Sequence, residues 1–426
     1  MIRILRLDDA LQNKQARQLR AQAGEAPTEV VRQIIAGVRA RGDEAVRELT
    51  ERFDGADLSD PFLDEARWDE LAAQCSQQIR EALLMAHQRV RAFHAPQIPA
   101  SYELQLRDGG VLRSTVLPLA RAACYVPGGR AVYPSTVLMT AGVARLAGVH
   151  QVIIATPPRR DGSIAPEVAA AARIAGADRI FLCGGAQAVA ALAIGTPLVP
   201  RVDVIVGPGN AYVTEAKRQL SGEVRIDSLA GPTEVAIVAD GSADPRFVAA
   251  DLIAQAEHDP LALAILVTHD GELAEKVRRA IDAQLLATPN AIAAESLRAR
   301  GAAVVTESLD AALAFADDFA PEHLQLMLED AAAAVAKVPR AAAVFVGHHS
   351  PTPVGDYLAG PNHTLPTSGT ARFASSLGSA DFVRRQNVIQ YGEQQLAQDT
   401  DALAALAHAE GLHGHAYTVE VRRRKP

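Results

Sequence analysis

The chain has 426 residues, more than one ordinary core, and at roughly 150 residues per domain it is expected to form two or three units. Hydrophobic residues at 49% and charged residues at 22% exclude a disordered chain, and a net charge of −8 argues against a nucleic-acid surface. No run approaches the ~18 consecutive apolar residues of a membrane span. Three cysteines, Cys75, Cys124 and Cys183, show no CxxC spacing, and the opening Met1-Ile2-Arg3-Ile4-Leu5-Arg6 lacks a signal-peptide core. A cytoplasmic protein is expected. The basic run Arg422-Arg423-Arg424-Lys425 reads as a solvated end.

In chain order, the first ~100 residues show helical periodicity. One helix is predicted from Thr28 to Phe53 and another from Trp68 to Phe93, before Pro96, Pro99 and the Arg107-Asp108-Gly109-Gly110 turn. Short apolar β-rich runs follow at 122–126, 151–155, 179–183, 202–206, 234–238 and 262–267, with weaker ones at 302–305 and 343–346. Alanine-rich helical segments separate them. Strand, glycine turn and helix in repetition predict an α/β fold of parallel sheets with helices on both faces. Two doubly wound units are expected, one interrupted in sequence by the other, with a polar helical tail after Leu377.

Three glycine turns fall at strand ends: Val126-Pro127-Gly128-Gly129, Gly184-Gly185-Ala186-Gln187 and Gly207-Pro208-Gly209-Asn210. None is a GxGxxG, so each on its own reads as a tight strand-to-helix turn. Three in succession, two of them carrying an amide, also suit a nucleotide-sized ligand.

Nine of the twelve histidines lie at or beyond position 258, so imidazole chemistry must draw on that half. Gln255 and His258 stand three apart on one predicted helical face just before Pro260. A histidine at the helix dipole and a solvated glutamine account for them equally well. Asp356 and His363 sit in a Gly/Pro-rich loop, and Glu410 and His415 lie near the end. Such sets suit zinc or manganese, although the spacing is not that of HExxH. In Ala320-Pro321-Glu322-His323, Pro321 predicts the first turn of a helix, from which Glu322 and His323 diverge. Taken alone, a dipole-favoured glutamate beside an exposed histidine is the simpler reading.

Together these segments resemble the histidinol dehydrogenase family. The longest match runs from Ile226-Asp227-Ser228-Leu229-Ala230-Gly231-Pro232-Thr233-Glu234 through Ala250-Asp251-Leu252 to Glu257-His258. Tyr125 to Gly129, Gly184 to Gln187, Gly207 to Asn210, Ala320 to His323, Asn362 to Thr367, and Glu410 with His415 follow in the family's order. The resemblance runs from about residue 20 to the C-terminus. It implies Zn2+, with Mn2+ as a substitute, held by Gln255, His258, Asp356 and His415. Substrate contacts are implied at those four residues and at Thr233, His323, His363 and Glu410, and NAD+ contacts at Tyr125, Gln187 and Asn210. Glu322 and His323 are implied as the catalytic pair for the four-electron oxidation of L-histidinol to L-histidine in histidine biosynthesis.

The fold implied is two incomplete Rossmann-like domains in a homodimer with shared sites. Its expected divisions are an arm at 1–21, a first domain from 22–124 and 235–377, a second at 125–234, and a tail at 378–426 that crosses to the partner. Thr233 stands where many members carry serine, which keeps the hydroxyl. The alternative is a dehydrogenase of another small alcohol, such as a sulfonated propanediol, on the same scaffold.

Overall fold

The computed structural model describes residues 2–6, 19–20, 26–107, 109–128 and 132–423. Expectations for the rest of the arm, for Asp108 and Gly129, and for Arg424 and Lys425 lie outside the described residues. The strands are β1 (Arg3–Arg6), β2 (Tyr102–Gln105), β3 (Val111–Pro118), β4 (Arg121–Tyr125), β5 (Gln151–Thr156), β6 (Arg179–Leu182) and β7 (Val204–Val206). They continue with β8 (Arg225–Ile226), β9 (Glu234–Ala239), β10 (Leu263–Thr268), β11 (Ala302–Val305), β12 (His323–Met327), β13 (Ala343–Val346) and β14 (Val383–Gln390).

Two parallel sheets carry the molecule. One has five strands in the order β6-β5-β4-β7-β8, the other six in the order β1-β11-β10-β9-β12-β13. Each sheet divides two buried clusters. In β5, Ile154 faces Trp68, Val90 and Leu138, whereas Ile153 faces Val31, Val46 and Phe181. In β9, Ile237 faces Leu252 and Val277, whereas Ala236 and Val238 face Phe315 and Phe319. Strand residues alternate between faces, so burial of both faces requires the unbroken apolar runs seen in the sequence. Each fully buried Val, Leu or Ile contributes roughly 1.5–3 kcal/mol.

The helical half departs from expectation in two places. Gly42, at φ 56°, divides the predicted 28–53 helix into Thr28–Arg41 and Asp43–Asp54. Ser76, whose side chain accepts from Ile79 N, starts a second helix at Gln77–His94, separate from Glu65–Ala73. These helices pack on the five-stranded sheet. The cores therefore join residues 28–94 to the unit of β4–β8 and not, as expected, to 235–377. The six-stranded sheet takes its edge strand β1 from the N-terminal arm.

The tail is not helical throughout. Val383–Gln390 pairs antiparallel with β3, which pairs with β2, and only then come the helices Glu393–Ala409 and His413–Arg423. Those two helices pack on each other. No described helix is long and apolar enough to cross a membrane.

Candidate active site

Glu322 and His323 do not open a helix. Ala320 ends the helix Leu309–Phe319 in the left-handed conformation at φ 47°, and His323 is the first residue of β12. Pro321 therefore follows a helix instead of starting one, and the missed strand is the polar-looking His-Leu-Gln-Leu-Met run. A left-handed alanine is sparsely populated backbone, held here by its position between a buried helix end and a buried strand.

β12 lies beside β9, with His323 in register with Val235. Glu322 and Glu234 are thus neighbours at the edge where these strands begin. The Glu322 carboxylate, buried, accepts at Oε2 from Thr233 Oγ1 at 2.6 Å and from Glu234 N at 2.8 Å. Removal from water dominates over these bonds and pushes its pKa up to about 8. His323 is also buried, and Nδ1 lies 3.2 Å from the Glu234 carbonyl oxygen. A carbonyl only accepts, so Nδ1 carries the proton and Nε2 keeps its lone pair. Burial lowers the pKa of this imidazole, which keeps it neutral near pH 7.

The helix Pro245–Ala256 joins β9 to its parallel neighbour β10, so it runs back to the same edge. Its last turn supplies Gln255, whose Nε2 donates to Thr233 Oγ1 at 2.5 Å. His258 lies just beyond and acts electrostatically on His323, Asp356 and His363. Asp356 comes from the short helix Thr352–Tyr357, where the sequence predicted loop. Its Oδ1 stands 3.9 Å from His323 Nε2, and burial raises its pKa. His363 Nδ1 meets the Asp356 carbonyl oxygen at 3.0 Å, and its Nε2 accepts from Thr136 Oγ1 at 3.1 Å. Both ring nitrogens are engaged, and burial drives its pKa down to about 4.

Thr233, Gln255, His258, Glu322, His323, Asp356 and His363 are thus gathered at one edge. Glu410 and His415 are not brought to them. Both are exposed on the tail and make no hydrogen bond or ion pair with that group among the described residues. Nor do any three described His, Cys, Asp or Glu side chains of one chain form a metal-holding group.

Tyr125, Gln187 and Asn210 line a different place, a cavity of about 1320 Å³ at the carboxyl ends of the five-stranded sheet. Its position is the point where strand order reverses between β4 and β7, the usual ligand crevice of such sheets. The volume exceeds the ~300–1,000 Å³ of ordinary small-molecule pockets. Tyr125 Oη accepts from Gly185 N at 3.0 Å, and Asn210 Oδ1 caps the helix Ala211–Leu220 through Tyr212 N and Val213 N. Gln187 is buried, and its Nε2 has no partner among the described residues. A buried donor without a partner in a cavity wall is a position for a ligand oxygen.

Beneath this cavity lies a pair the sequence reading passed over. Lys217 Nζ donates to Asp227 Oδ1 at 2.7 Å and to Gly207 O at 2.6 Å, while Gly207 N donates to Asp227 Oδ2 at 2.7 Å. Both polar groups of Gly207, at φ 109°, are thereby fixed, and a Cβ there would meet Tyr125 O at 2.2 Å. Asp227 belongs to the longest matching segment, but nothing in the letters announced that Lys217 is its partner.

A nucleotide-sized crevice on one parallel sheet, beside a buried neutral histidine and a buried high-pKa carboxylate on another, defines an α/β enzyme of the oxidoreductase class. The histidinol dehydrogenase family model matches residues 17–423. Histidinol dehydrogenases from Synechococcus sp. and Halalkalibacterium halodurans are 49% and 44% identical over 396 and 393 residues, covering 92% of this chain and 91% and 93% of theirs. The crystal structure of histidinol dehydrogenase from Elizabethkingia anophelis superposes with TM-score 0.92 at 32% identity, over 99% of this chain and 98% of that one. The chain belongs to the histidinol dehydrogenase family and is an oxidoreductase.

Proposed function

We propose that the protein oxidises L-histidinol to L-histidine through L-histidinal, as a zinc-dependent enzyme using two NAD+ in turn. The observation that carries this reading is the buried His323, neutral and with its free lone pair on Nε2, beside a carboxyl whose pKa is near 8. Family membership supplies the substrate. NAD+, when bound, supplies the hydride acceptor, and zinc supplies a Lewis-acidic point that orients the substrate.

His323 Nε2 takes the proton from the alcohol oxygen in the first oxidation and from the aldehyde hydrate in the second. Glu322, when ionised, takes a proton from the water that adds to the aldehyde, and a pKa near neutrality suits a group that must gain and lose that proton. Thr233 holds Glu322 and is itself held by Gln255, so substrate contact and acid/base alignment share one hydrogen-bonded chain. General-base help of this kind is worth ~10²–10⁴ in rate.

Gln187 Nε2 and the cavity wall fit the dinucleotide, with Tyr125 and Asn210 beside them. Gln255, His258 and Asp356 provide an oxygen- and nitrogen-donor set suited to zinc. Within one chain that set is incomplete, and His415 and Glu410 complete it from a second copy. The exposed Ile389, Leu406 and Tyr417 of the tail support such an exchange, since apolar surface of this kind favours a protein partner. The two units are read as incomplete Rossmann-like domains, and the protein as a cytoplasmic homodimer.

The test is NADH produced per L-histidinol consumed. Two supports the proposal; an inert histidinol with turnover of another small alcohol overturns it. Chelation is expected to abolish turnover, with return on adding zinc or manganese, and indifference to prolonged chelation removes the metal from the reading.

A further inference from the structure

The inference rests on reading the cavity of the five-stranded sheet as the NAD+ site, and concerns which dinucleotide it accepts. Asp54 ends the helix Asp43–Asp54 and lines the cavity with Tyr125, Gly185 and Gln187. Its Oδ2 accepts from Gly184 N at 3.3 Å, a long bond, and Oδ1 has no hydrogen bond or ion pair among the described residues. The side chain is half-buried, and loss of water raises its pKa. A carboxylate can take about four hydrogen bonds, so this one is short of donors in a wall that faces a ligand.

Arginines stand in the same cavity, at Arg52, Arg159 and Arg160. Arg160 lies over Gly55, next along the chain, yet no cation contributes to the charge state of Asp54. Around the carboxylate the wall therefore offers one anionic acceptor and, from Gln187 Nε2, one donor. That pattern complements a vicinal diol, which gives a hydroxyl proton to the acid and accepts from the amide. It repels a phosphate monoester, because two negative charges would meet in a site partly withdrawn from water.

We propose that Asp54 accepts a ribose hydroxyl of the dinucleotide and so selects NAD(H) against NADP(H). Dinucleotide-binding sheets of the GxGxxG type use an acidic side chain for the same discrimination, from a different place in the fold. Here the acid comes from the end of a helix packed on the sheet, and Gly184 N–H aims it.

The experiment is direct binding, independent of turnover. The full-length protein is titrated with NADH and with NADPH, each followed by the fluorescence of the bound dinucleotide. The wild type is expected to favour NADH by about 100-fold, the scale of one unfavourable like-charge contact. In Asp54→Asn, which keeps the acceptor for Gly184 N, the preference is expected to fall to within about tenfold, mainly through a gain by NADPH. Asp54→Ser is the second variant, and thermal unfolding establishes that each is folded.

A wild type that binds both dinucleotides alike overturns the role of Asp54 while leaving the cofactor reading intact. So does a preference that survives in both variants, or one in which both affinities fall by the same factor. A wild type that binds neither dinucleotide overturns the cofactor reading itself, and the inference with it.

Discussion

The five-stranded sheet presents its cavity at the carboxyl ends of β4 to β7, whereas the six-stranded sheet gathers its acid/base group at the amino ends of β9 and β12. Both lie where strand order reverses, but at opposite edges. The carboxyl edge meets the starts of the following helices, whose free N–H groups and positive dipole ends favour anions such as a diphosphate. The amino edge meets helix ends, with unpaired carbonyls and a partial negative charge, and favours cations and protons in transit. Gln255 and His258 at the end of Pro245–Ala256, and Glu322 just after Leu309–Phe319, occupy that second environment. One parallel architecture thus provides two electrostatically different workplaces, and an oxidation that moves a hydride and a proton uses both.

The sharpest way to break this comparison is His323→Asn. The division of labour predicts a fall of roughly 10²–10⁴ in turnover with NADH affinity unchanged, read by steady-state rates beside a binding titration. A parallel loss of NADH binding would mean that the two edges are not separate in function.

The sheets also differ in how they keep a buried carboxylate. Asp227 is neutralised by Lys217, while Asp251 meets only the amide of Gln325, at 2.9 Å. Lys217→Met strands the Asp227 charge and is expected to cost about 3–5 kcal/mol in urea unfolding. Joint replacement with Asp227→Leu is expected to recover most of that loss, and a double variant as unstable as the single one would refute the pairing. Gly207→Ala, which forces a Cβ against Tyr125 O, is expected to weaken NADH binding by about 1–3 kcal/mol with little change at the other edge.

The smallest effect is in pH. Burial raises the pKa of Asp251 to about 6, so the native state holds a proton that the unfolded chain releases near pH 4. Stability should therefore decline as pH rises from about 4 to about 6, by roughly 1–3 kcal/mol. In Asp251→Asn this decline should vanish from a series of unfolding curves, and its persistence would assign the slope to another group.

Much of the scaffold was legible because parallel strands buried on both faces are written as continuous apolar runs. The segments around Ile153 and Ile237 are of this kind. His-Leu-Gln-Leu-Met was not, since its two polar residues are buried by partners, Glu234 and Asp251, that are distant in sequence. The break at Gly42 was missed for a different reason. Period 3.6 continues across it, and only the left-handed φ turns the second helix away. At the site, residue types were legible and their conformations were not. Thr136 had no signal at all, because its function as donor to His363 exists only in the packed fold.

By itself the sequence determined the class of fold, through apolar period and glycine punctuation, and the set of side chains that carry the chemistry. Tertiary structure alone decided which sheet edge each set occupies and which helices pack on which sheet. It decided the tautomer of His323 and the protonation of Glu322. The physical reason is the same in each case: a hydrogen-bond partner or the loss of water fixes charge and orientation, and both come from residues far away along the chain.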